Sequence, residues 1–253
     1  MHQKLIINAD DFGLTESCSK AIAEAFAQKF ITSTTACANG EYIEEALSLA
    51  QENGFLDSIG IHINLTEGFP LTKNIVIDPF FCENGKFHGR IHRFKKPTKR
   101  QLDVIKEEVT AQVERLLALG YTISHADSHH HIHTCVYFEN TIKDVLFSYG
   151  IRKIRLHRNI GKIPFYKRVA KKLYNKKLRK QGFATCAYFG SADDFLATDA
   201  LEGVCEIMVH PDYDAQGTLI DRVLQSEEGN SGAPLGSWAH KLQGEEKISY
   251  REL

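Results

Sequence analysis

The chain has 253 residues, 43% of them hydrophobic and 25% charged, with a formal net charge of -1 at pH 7. This length and composition allow a sizeable buried core, as one large α/β domain or two smaller ones, and argue against disorder. Because a net charge near zero supplies no overall field for a polyanion, neither nucleic acid nor a membrane is expected as a partner.

The cysteine pattern and the start of the chain bear on its compartment. The six cysteines are scattered without a CxxC pair, which favours reduced thiols over a disulfide framework. The apolar run near residues 4–9 is too short and too soon acidic for a signal peptide, and no stretch approaches the length of a membrane span. The sequence therefore predicts a cytoplasmic protein, with a homodimer as the default form of any self-association.

Apolar, β-branched runs alternate with helical periodicity along most of the chain. Residues 5–7 predict a buried parallel strand that ends in the polar segment 8–13. Further strands are predicted over about 34–38, 57–65, 121–123, 153–157, 184–189 and 204–209. Helices are predicted over about 15–29, 42–51, 98–119 and 137–149. This alternation predicts one domain over 1–253, a distorted (β/α) barrel of about seven strands related to the eight-stranded barrels.

Three segments interrupt this alternation. Residues 66–97 lose periodicity and collect Gly and Pro, which predicts a loop that forms a substrate wall. Residues 162–180 are rich in lysine, and their apolar residues recur at helical spacing, so we expect an amphipathic helix with a solvated basic face. The final segment, 221–253, is expected to be helical. In the loop 66–97, the aromatic rings that could cover a ligand are Phe80, Phe81, Phe87 and Phe94. In the predicted basic helix, the apolar residues expected to face inward are Phe165, Val169, Leu173 and Tyr174.

Five of the twelve histidines lie within residues 125–133, together with Asp127. If the preceding strand continues through them, alternation places His125, Asp127, His129 and His131 on one face. Imidazoles and a carboxylate are poor core residues but good ligands of a divalent metal. A surface histidine run is the simpler alternative, but this run is interrupted and follows a predicted strand.

Polar clusters also follow other predicted strands, and in a barrel the carboxyl ends of the strands share one rim. A site with one carboxylate and two imidazoles leaves positions open for water and substrate, as a catalytic metal requires. The predicted ligands are Asp11, His62 and His129, with His131 as the alternative should the strand run longer.

Other residues of these clusters suit proton transfer. Asp10 is the predicted general base toward activated water, and His210 the predicted acid toward a leaving group. Asp127 is expected to orient a ligand imidazole, and Arg155 to hold the base ionised. Taken singly, an Asp pair after a strand is often a helix cap and a lone histidine is often structural. Their convergence at one rim favours the catalytic interpretation.

Several motifs occur in an order that carries a family resemblance. They include NADDFG at residues 8–13 and DSHHHIH at 127–133, with shorter matches at 32–36, 59–62 and 208–211. Together they resemble the YdjC-like carbohydrate deacetylases, which include chitooligosaccharide deacetylases. The basic stretch 162–180 and the tail after Asp214 match no recognised part of that pattern.

The resemblance implies a barrel-like α/β fold, one divalent ion, Mg²⁺ or Zn²⁺, and hydrolysis of the N-acetyl group of an amino sugar or short oligosaccharide such as diacetylchitobiose. By motif, Asp11, His62 and His129 match the family's ligands, Asp10 its base and His210 its acid. Two alternatives stay open: a metal-dependent phosphoesterase on the same scaffold, and a carbohydrate-binding relative without catalysis.

Overall fold

The computed structural model describes residues 4–89, 95–198, 201–225, 231–242 and 244–253. The strands are β1 Lys4–Phe12, β2 Ser33–Ala36, β3 Ile59–Ile63, β4 Cys82–Glu83, β5 Lys86–Phe87, β6 Ala126–Ser128, β7 Tyr188–Ser191, β8 Val204–Val209, β9 Pro211–Tyr213, β10 Leu219–Gln225, β11 Ser231–Pro234 and β12 Glu246–Lys247. The helices are α1 Glu16–Ala27, α2 Ile43–Glu52, α3 Lys73–Val76, α4 Lys99–Ala118, α5 Glu139–Ser148, α6 Phe165–Lys180 and α7 Ala192–Leu196. Short 3₁₀ helices span Leu56–Ser58, His129–Thr134, Leu235–Leu242 and Tyr250–Glu252.

A seven-stranded parallel sheet curls into a half-barrel and organises the chain. Its strand order is β6-β3-β2-β1-β8-β7, with β12 paired to the start of β1. Two isolated parallel bridges, Ala126 to Ile154 and Lys153 to Ala184, continue the curl beyond β6. This architecture confirms the predicted distorted barrel, although the strand expected over 153–157 is present as bridges rather than as a regular strand.

The central strand is buried because it is covered on both faces and paired on both edges. Leu5, Ile6 and Ile7 are fully buried in β1, as expected for a continuous apolar run in a parallel sheet. Helix α4 buries its stripe of Val104, Ile105, Val109, Val113 and Leu116. Thr98 caps that helix by accepting from the Gln101 backbone N–H.

The prediction of a helical C-terminus was wrong for the strands β10, β11 and β12, although Leu235–Leu242 and Tyr250–Glu252 form 3₁₀ helices. Strands β9, β10 and β11 form an antiparallel sheet, in which Ile220 lies opposite Asp212 and Pro234. Gly232 adopts a φ of 92°, which a continuous helix does not allow. The segment therefore satisfies its backbone groups by pairing with β9, a neighbour that periodicity alone could not reveal.

The basic helix exists as α6, but the prediction of its inward face was wrong for three of four residues, since only Tyr174 packs against the core. Phe165, Val169 and Leu173 are exposed, and the buried residues are Asn175 and Leu178. Asn175 exchanges two hydrogen bonds with the His157 backbone, so this side of the helix faces the barrel.

The segment 66–97 contains α3 and the β4–β5 hairpin rather than an entirely irregular loop. Phe80, Phe81 and Phe87 are buried within it, and the first two contact the ring of Phe138. These rings therefore belong to the core. Phe94 lies outside the described residues.

Candidate active site

The predicted polar clusters meet at the carboxyl ends of the central strands. His62 on β3 lies in register with Asp127 on β6, and Ala9 on β1 with Val209 on β8, which places Asp10 beside His210. A cavity of about 480 Å³ opens at this rim. Its lining residues are Asp10, Asp11, His62, Ser128, His129, His130, His131, Met208, His210, Arg222 and Val223.

Asp11 lies at the centre of the cluster. Its Oδ1 is 3.2 Å from His62 Nε2 and 2.8 Å from His129 Nδ1. Asp11 has a φ of 73°, a left-handed conformation that costs a non-glycine residue about 1 kcal/mol. This turn breaks the strand alternation at the end of β1, so that Asp10 and Asp11 both face the cavity.

The histidine segment departs from the predicted strand. Strand β6 ends at Ser128, and a 3₁₀ turn begins at His129, with positive φ values at His130 and His131. A common strand face for His129 and His131 was therefore a wrong expectation. His129 contacts Asp11, whereas the ring of His131 packs 5.8 Å from that of Phe189.

Two groups of three donor atoms within 4.8 Å of one another occur in the described part of the chain: Asp11 with Cys37 and His62, and Asp10 with His62 and Asp127. His129 is outside both groups and joins the cluster through Asp11. Burial and the Asp11 charge raise the pKa of the Cys37 thiol well above its usual value, which disfavours the thiolate that a metal binds.

Asp10 and Asp127 are held by Arg155, whose charge opposes a cation at the same oxygens. Asp11 Oδ1, His62 Nε2 and His129 Nδ1 contact one another, whereas a guanidinium, that of Arg222, pairs with the other Asp11 oxygen, Oδ2. One carboxylate with two imidazoles is a donor set that a divalent ion can use, and Asp11 and His62 also belong to one of the two groups above.

Arg155 is fully buried and holds three carboxylates at once. Its guanidinium lies 2.6 Å from each Asp10 oxygen, 2.7 Å from Asp127 Oδ2 and 2.7 Å from Glu206 Oε1. Burial alone would raise the pKa of the Asp10 carboxyl, but the Arg155 charge lowers it well below its usual value. Asp10 is therefore ionised at neutral pH.

Asp127 also orients His62. Its Oδ1 lies 2.6 Å from His62 Nδ1, which leaves Nε2 pointing toward Asp11. Burial alone would lower the pKa of His62, but the Asp127 and Asp11 carboxylates raise it well above its usual value. Carboxylate-oriented imidazoles are typical of catalytic metal sites.

The antiparallel C-terminal sheet positions His210. The His210 backbone N–H donates to Asp221 Oδ1 at 3.1 Å, and its carbonyl accepts from Arg222 N–H at 2.9 Å. Its Nε2 lies 3.9 Å from Asp10 Oδ2. The predicted base and acid thus lie within ion-pair distance of each other at the cavity.

Sequence reasoning missed four residues of this neighbourhood. Glu67 Oε2 lies 2.9 Å from His129 Nε2, and Arg222 donates to Asp11 Oδ2 at 2.8 Å. Glu206 accepts from Arg155 and from the Tyr250 hydroxyl. Glu206 alone carried a signal, as a carboxylate inside an apolar strand. The other three depend on the loop and C-terminal contacts.

No helix in the described residues combines the length and apolar character needed to span a bilayer.

Fold and site together define an α/β half-barrel protein with an Asp/His cluster at the carboxyl ends of its strands. A family model for YdjC-like proteins matches residues 4–244, and the chain belongs to this family.

Relatives of the chain are named as carbohydrate deacetylases. Carbohydrate deacetylase 1 of Listeria innocua is 30% identical over 212 residues, covering 83% of this chain and 82% of the relative. The Clostridium beijerinckii carbohydrate deacetylase is 31% identical with the same coverage, and that of Vibrio campbellii is 40% identical over 52% of this chain and 50% of its own.

A crystal structure from Enterococcus faecalis V583 has a TM-score of 0.68 and 26% identity, covering 85% of this chain and 84% of that one. Its name assigns it provisionally to cellobiose-phosphate cleavage.

Proposed function

We propose that the chain is a carbohydrate deacetylase that hydrolyses the N-acetyl group of an amino sugar or short oligosaccharide, and that it acts in the cytoplasm. The observation that carries the proposal is the meeting of Asp10, Asp11, His62, His129 and His210 around one cavity. The names of the relatives that match over 82% of their own length support the same reaction.

In this proposal, Asp11, His62 and His129 hold one divalent ion, Mg²⁺ or Zn²⁺. Such an ion polarises an acyl carbonyl and lowers the pKa of the attacking water. Glu67 and Asp127 orient the two imidazoles from their other nitrogens.

Asp10 is the general base, and its hydrogen bonds select the oxygen that acts. Oδ1 accepts from Arg155 and from the Asn8 amide, whereas Oδ2 accepts from Arg155 and faces His210. Oδ2 therefore retains a lone pair for the proton of water. Because Arg155 lowers the pKa of Asp10, this carboxylate is ionised and can accept a proton, but its basicity is low. Proton transfer from water to Asp10 therefore requires that the ion lower the pKa of the water.

His210, in its protonated form, donates a proton to the sugar nitrogen as the carbon–nitrogen bond breaks. The oxygen of water ends in acetate, and the sugar leaves as a free amine. Asp221 and Arg222 hold the His210 backbone, which keeps the imidazole beside Asp10.

The test is acetate release from diacetylchitobiose with Mg²⁺ or Zn²⁺, run beside phosphate release from a generic phosphomonoester. We expect acetate, and no activity in Asp10→Asn although its metal affinity is kept. His88→Ala, which alters a histidine bonded to Phe80 O, is the matched control and should retain activity. Phosphate release without acetate would replace the proposal by the phosphoesterase alternative, and full activity of Asp10→Asn would remove Asp10 from its role.

A further inference from the structure

Helix α6 presents an apolar surface to solvent. The exposed fractions are 80% for Phe165, 69% for Tyr166, 44% for Val169 and 65% for Leu173. At 100° per residue these positions fall within an arc of about 100°, so they form one continuous stripe, here called the α6 stripe. Contiguous exposed apolar side chains of this kind mark an interaction surface more often than isolated ones do.

The stripe cannot turn inward without dismantling the contacts of the opposite side. Leu178 is fully buried, Asn175 bonds the His157 backbone, and the Tyr174 hydroxyl donates to His133 O at 3.3 Å. Lys177 forms an ion pair with Glu139 at 2.7 Å. The orientation of α6 is thus fixed by the barrel, and the stripe faces away from it.

The charged residues of α6 itself have one sign. Helix α6 contains eight Lys or Arg and no Asp or Glu, and the wider segment 145–192 contains thirteen and none. The exposed cations beside the stripe are Lys167, Arg168, Lys172, Lys176 and Lys180. Since the whole chain has a net charge of -1, the remainder is acidic. The molecule therefore has a positive end at α6, which an anionic surface attracts and orients.

We propose that α6 docks this protein on an anionic lipid surface, with the α6 stripe inserted between headgroups and the lysines paired with lipid phosphates. Aromatic and aliphatic side chains beside lysines, on a helix without acids, are the composition of interfacial helices. A second copy docking helix on helix would oppose lysines to lysines across a two-fold axis, which disfavours that occupant. Duplex nucleic acid would satisfy the lysines but leave the apolar stripe in water.

The experiment is flotation of the full chain with vesicles of phosphatidylcholine alone or mixed with phosphatidylglycerol, at low and high salt. Binding is expected with the mixed vesicles, decreasing as salt rises, and not with phosphatidylcholine alone. Phe165→Ser with Val169→Ser and Leu173→Ser should weaken binding by at least about tenfold. Lys167→Gln with Lys172→Gln and Lys176→Gln should weaken it on the order of a hundredfold.

Matched controls change the same residue types elsewhere. Ile77→Ser removes an apolar side chain that is 68% exposed, and Lys99→Gln with Arg100→Gln removes exposed cations from the start of α4. Both controls should bind vesicles as the parent does. All α6 variants should keep the deacetylase activity of the parent in solution, because their positions lie outside the cavity lining.

Equal binding of parent and α6 variants, or no binding to the mixed vesicles, would overturn the lipid proposal. Loss of a dimer in the α6 variants, measured by sedimentation without vesicles, would assign the stripe to a second copy instead. Retention of a labelled single-stranded oligonucleotide by the parent, without vesicle binding, would assign it to nucleic acid. Flotation measures lipid binding and not catalysis, so a failure to release acetate from diacetylchitobiose would not change how the vesicle results are interpreted.

Discussion

The adjacent residues Asp10 and Asp11 are proposed to have different roles, because their side chains contact different partners. Both Asp10 oxygens accept from Arg155, whereas Asp11 turns Oδ1 toward two imidazoles and Oδ2 toward Arg222. Regular strand alternation would send these side chains to opposite faces. The left-handed conformation of Asp11 brings both side chains into one cavity, so a single backbone dihedral places the proposed base beside a candidate metal ligand.

The geometry distinguishes His129 from His131. His129→Ala should weaken binding of Mg²⁺ or Zn²⁺ by at least about a hundredfold, because it removes one of three proposed ligands. His131→Ala should change the affinity little, because the His131 ring packs against Phe189 and not against Asp11. Calorimetric titration of both variants measures this difference. Equal losses would show that His131 also contacts the ion.

Replacing Arg155 by lysine should move the pH profile. Lysine cannot hold both Asp10 oxygens in the planar geometry of guanidinium, so the depressed pKa of Asp10 should rise. A base with a higher pKa becomes protonated at higher pH, and the acidic limb of kcat/KM should shift upward. Arg158→Lys is the control, since its guanidinium pairs with Asp194 outside the cavity lining. An unchanged acidic limb in Arg155→Lys would contradict this role.

At the scale of elements, close approach between strands decides which side chains fit. Gly60 on β3 lies against His125, so that a Cβ there would be 2.6 Å from His125 Nδ1 and from His125 O. His125 in turn bonds Asn8 Oδ1 and stacks on the Tyr250 ring, with centroids 3.7 Å apart. Glycine at this position therefore lets β3 and the histidine segment pack together beneath the site.

Gly60→Ala should lower the free energy of unfolding by about 1–3 kcal/mol, because the added methyl overpacks His125. Gly54→Ala is a suitable comparison, since its Cβ would meet no atom within 4 Å and its φ of 71° adds strain of about 1 kcal/mol. Urea unfolding of both variants gives the difference. A cost for Gly60→Ala no greater than that for Gly54→Ala would mean that His125 moves aside freely.

At the scale of the whole molecule, the C-terminal segment packs against the amino ends of β1 and β2. Strand β12 pairs with the start of β1, and the Tyr250 N–H donates to Ser33 Oγ at 3.1 Å. The Tyr250 hydroxyl reaches Glu206, which bonds the same Arg155 that holds Asp10. A continuous buried network therefore joins the last residues of the chain to the proposed base.

In this network one guanidinium, that of Arg155, pairs with three carboxylates, so it does not neutralise all of their negative charge. Glu206 is the carboxylate whose pKa is raised. Burial, only partly offset by Arg155, raises the pKa of Glu206 from 4.5 to about 7. In the unfolded chain Glu206 loses its proton near its ordinary value. The folded state thus binds more protons between these values, and stability should fall as pH rises through this window.

Glu206→Gln should flatten that dependence, because glutamine resembles the protonated acid and does not titrate. Relative to the parent, the variant should gain stability as pH rises from 4.5 to about 7, by on the order of 3 kcal/mol at most. Urea unfolding at a series of pH values measures the two curves. Parallel curves for parent and variant would place the titration elsewhere.

The sequence by itself determined the parts that depend on local patterns. Apolar runs ending in polar residues located β1, β3 and β8, and barrel logic then placed Asp10, His62 and His210 at one rim. Strand β8 matches its predicted bounds, 204–209, because a buried parallel strand is a continuous apolar run. The motifs also indicated the family that the family model shows.

The tertiary structure decided what depends on distant partners. The 3₁₀ turn at His129, the antiparallel C-terminal sheet and the outward α6 stripe each contradict a local periodicity. In each case, contacts with segments remote in sequence outweigh propensities of a few tenths of a kcal/mol per residue. Local sequence patterns indicate which residues are candidates for metal binding and proton transfer. Strand pairing and side-chain packing determine which of their atoms lie close together.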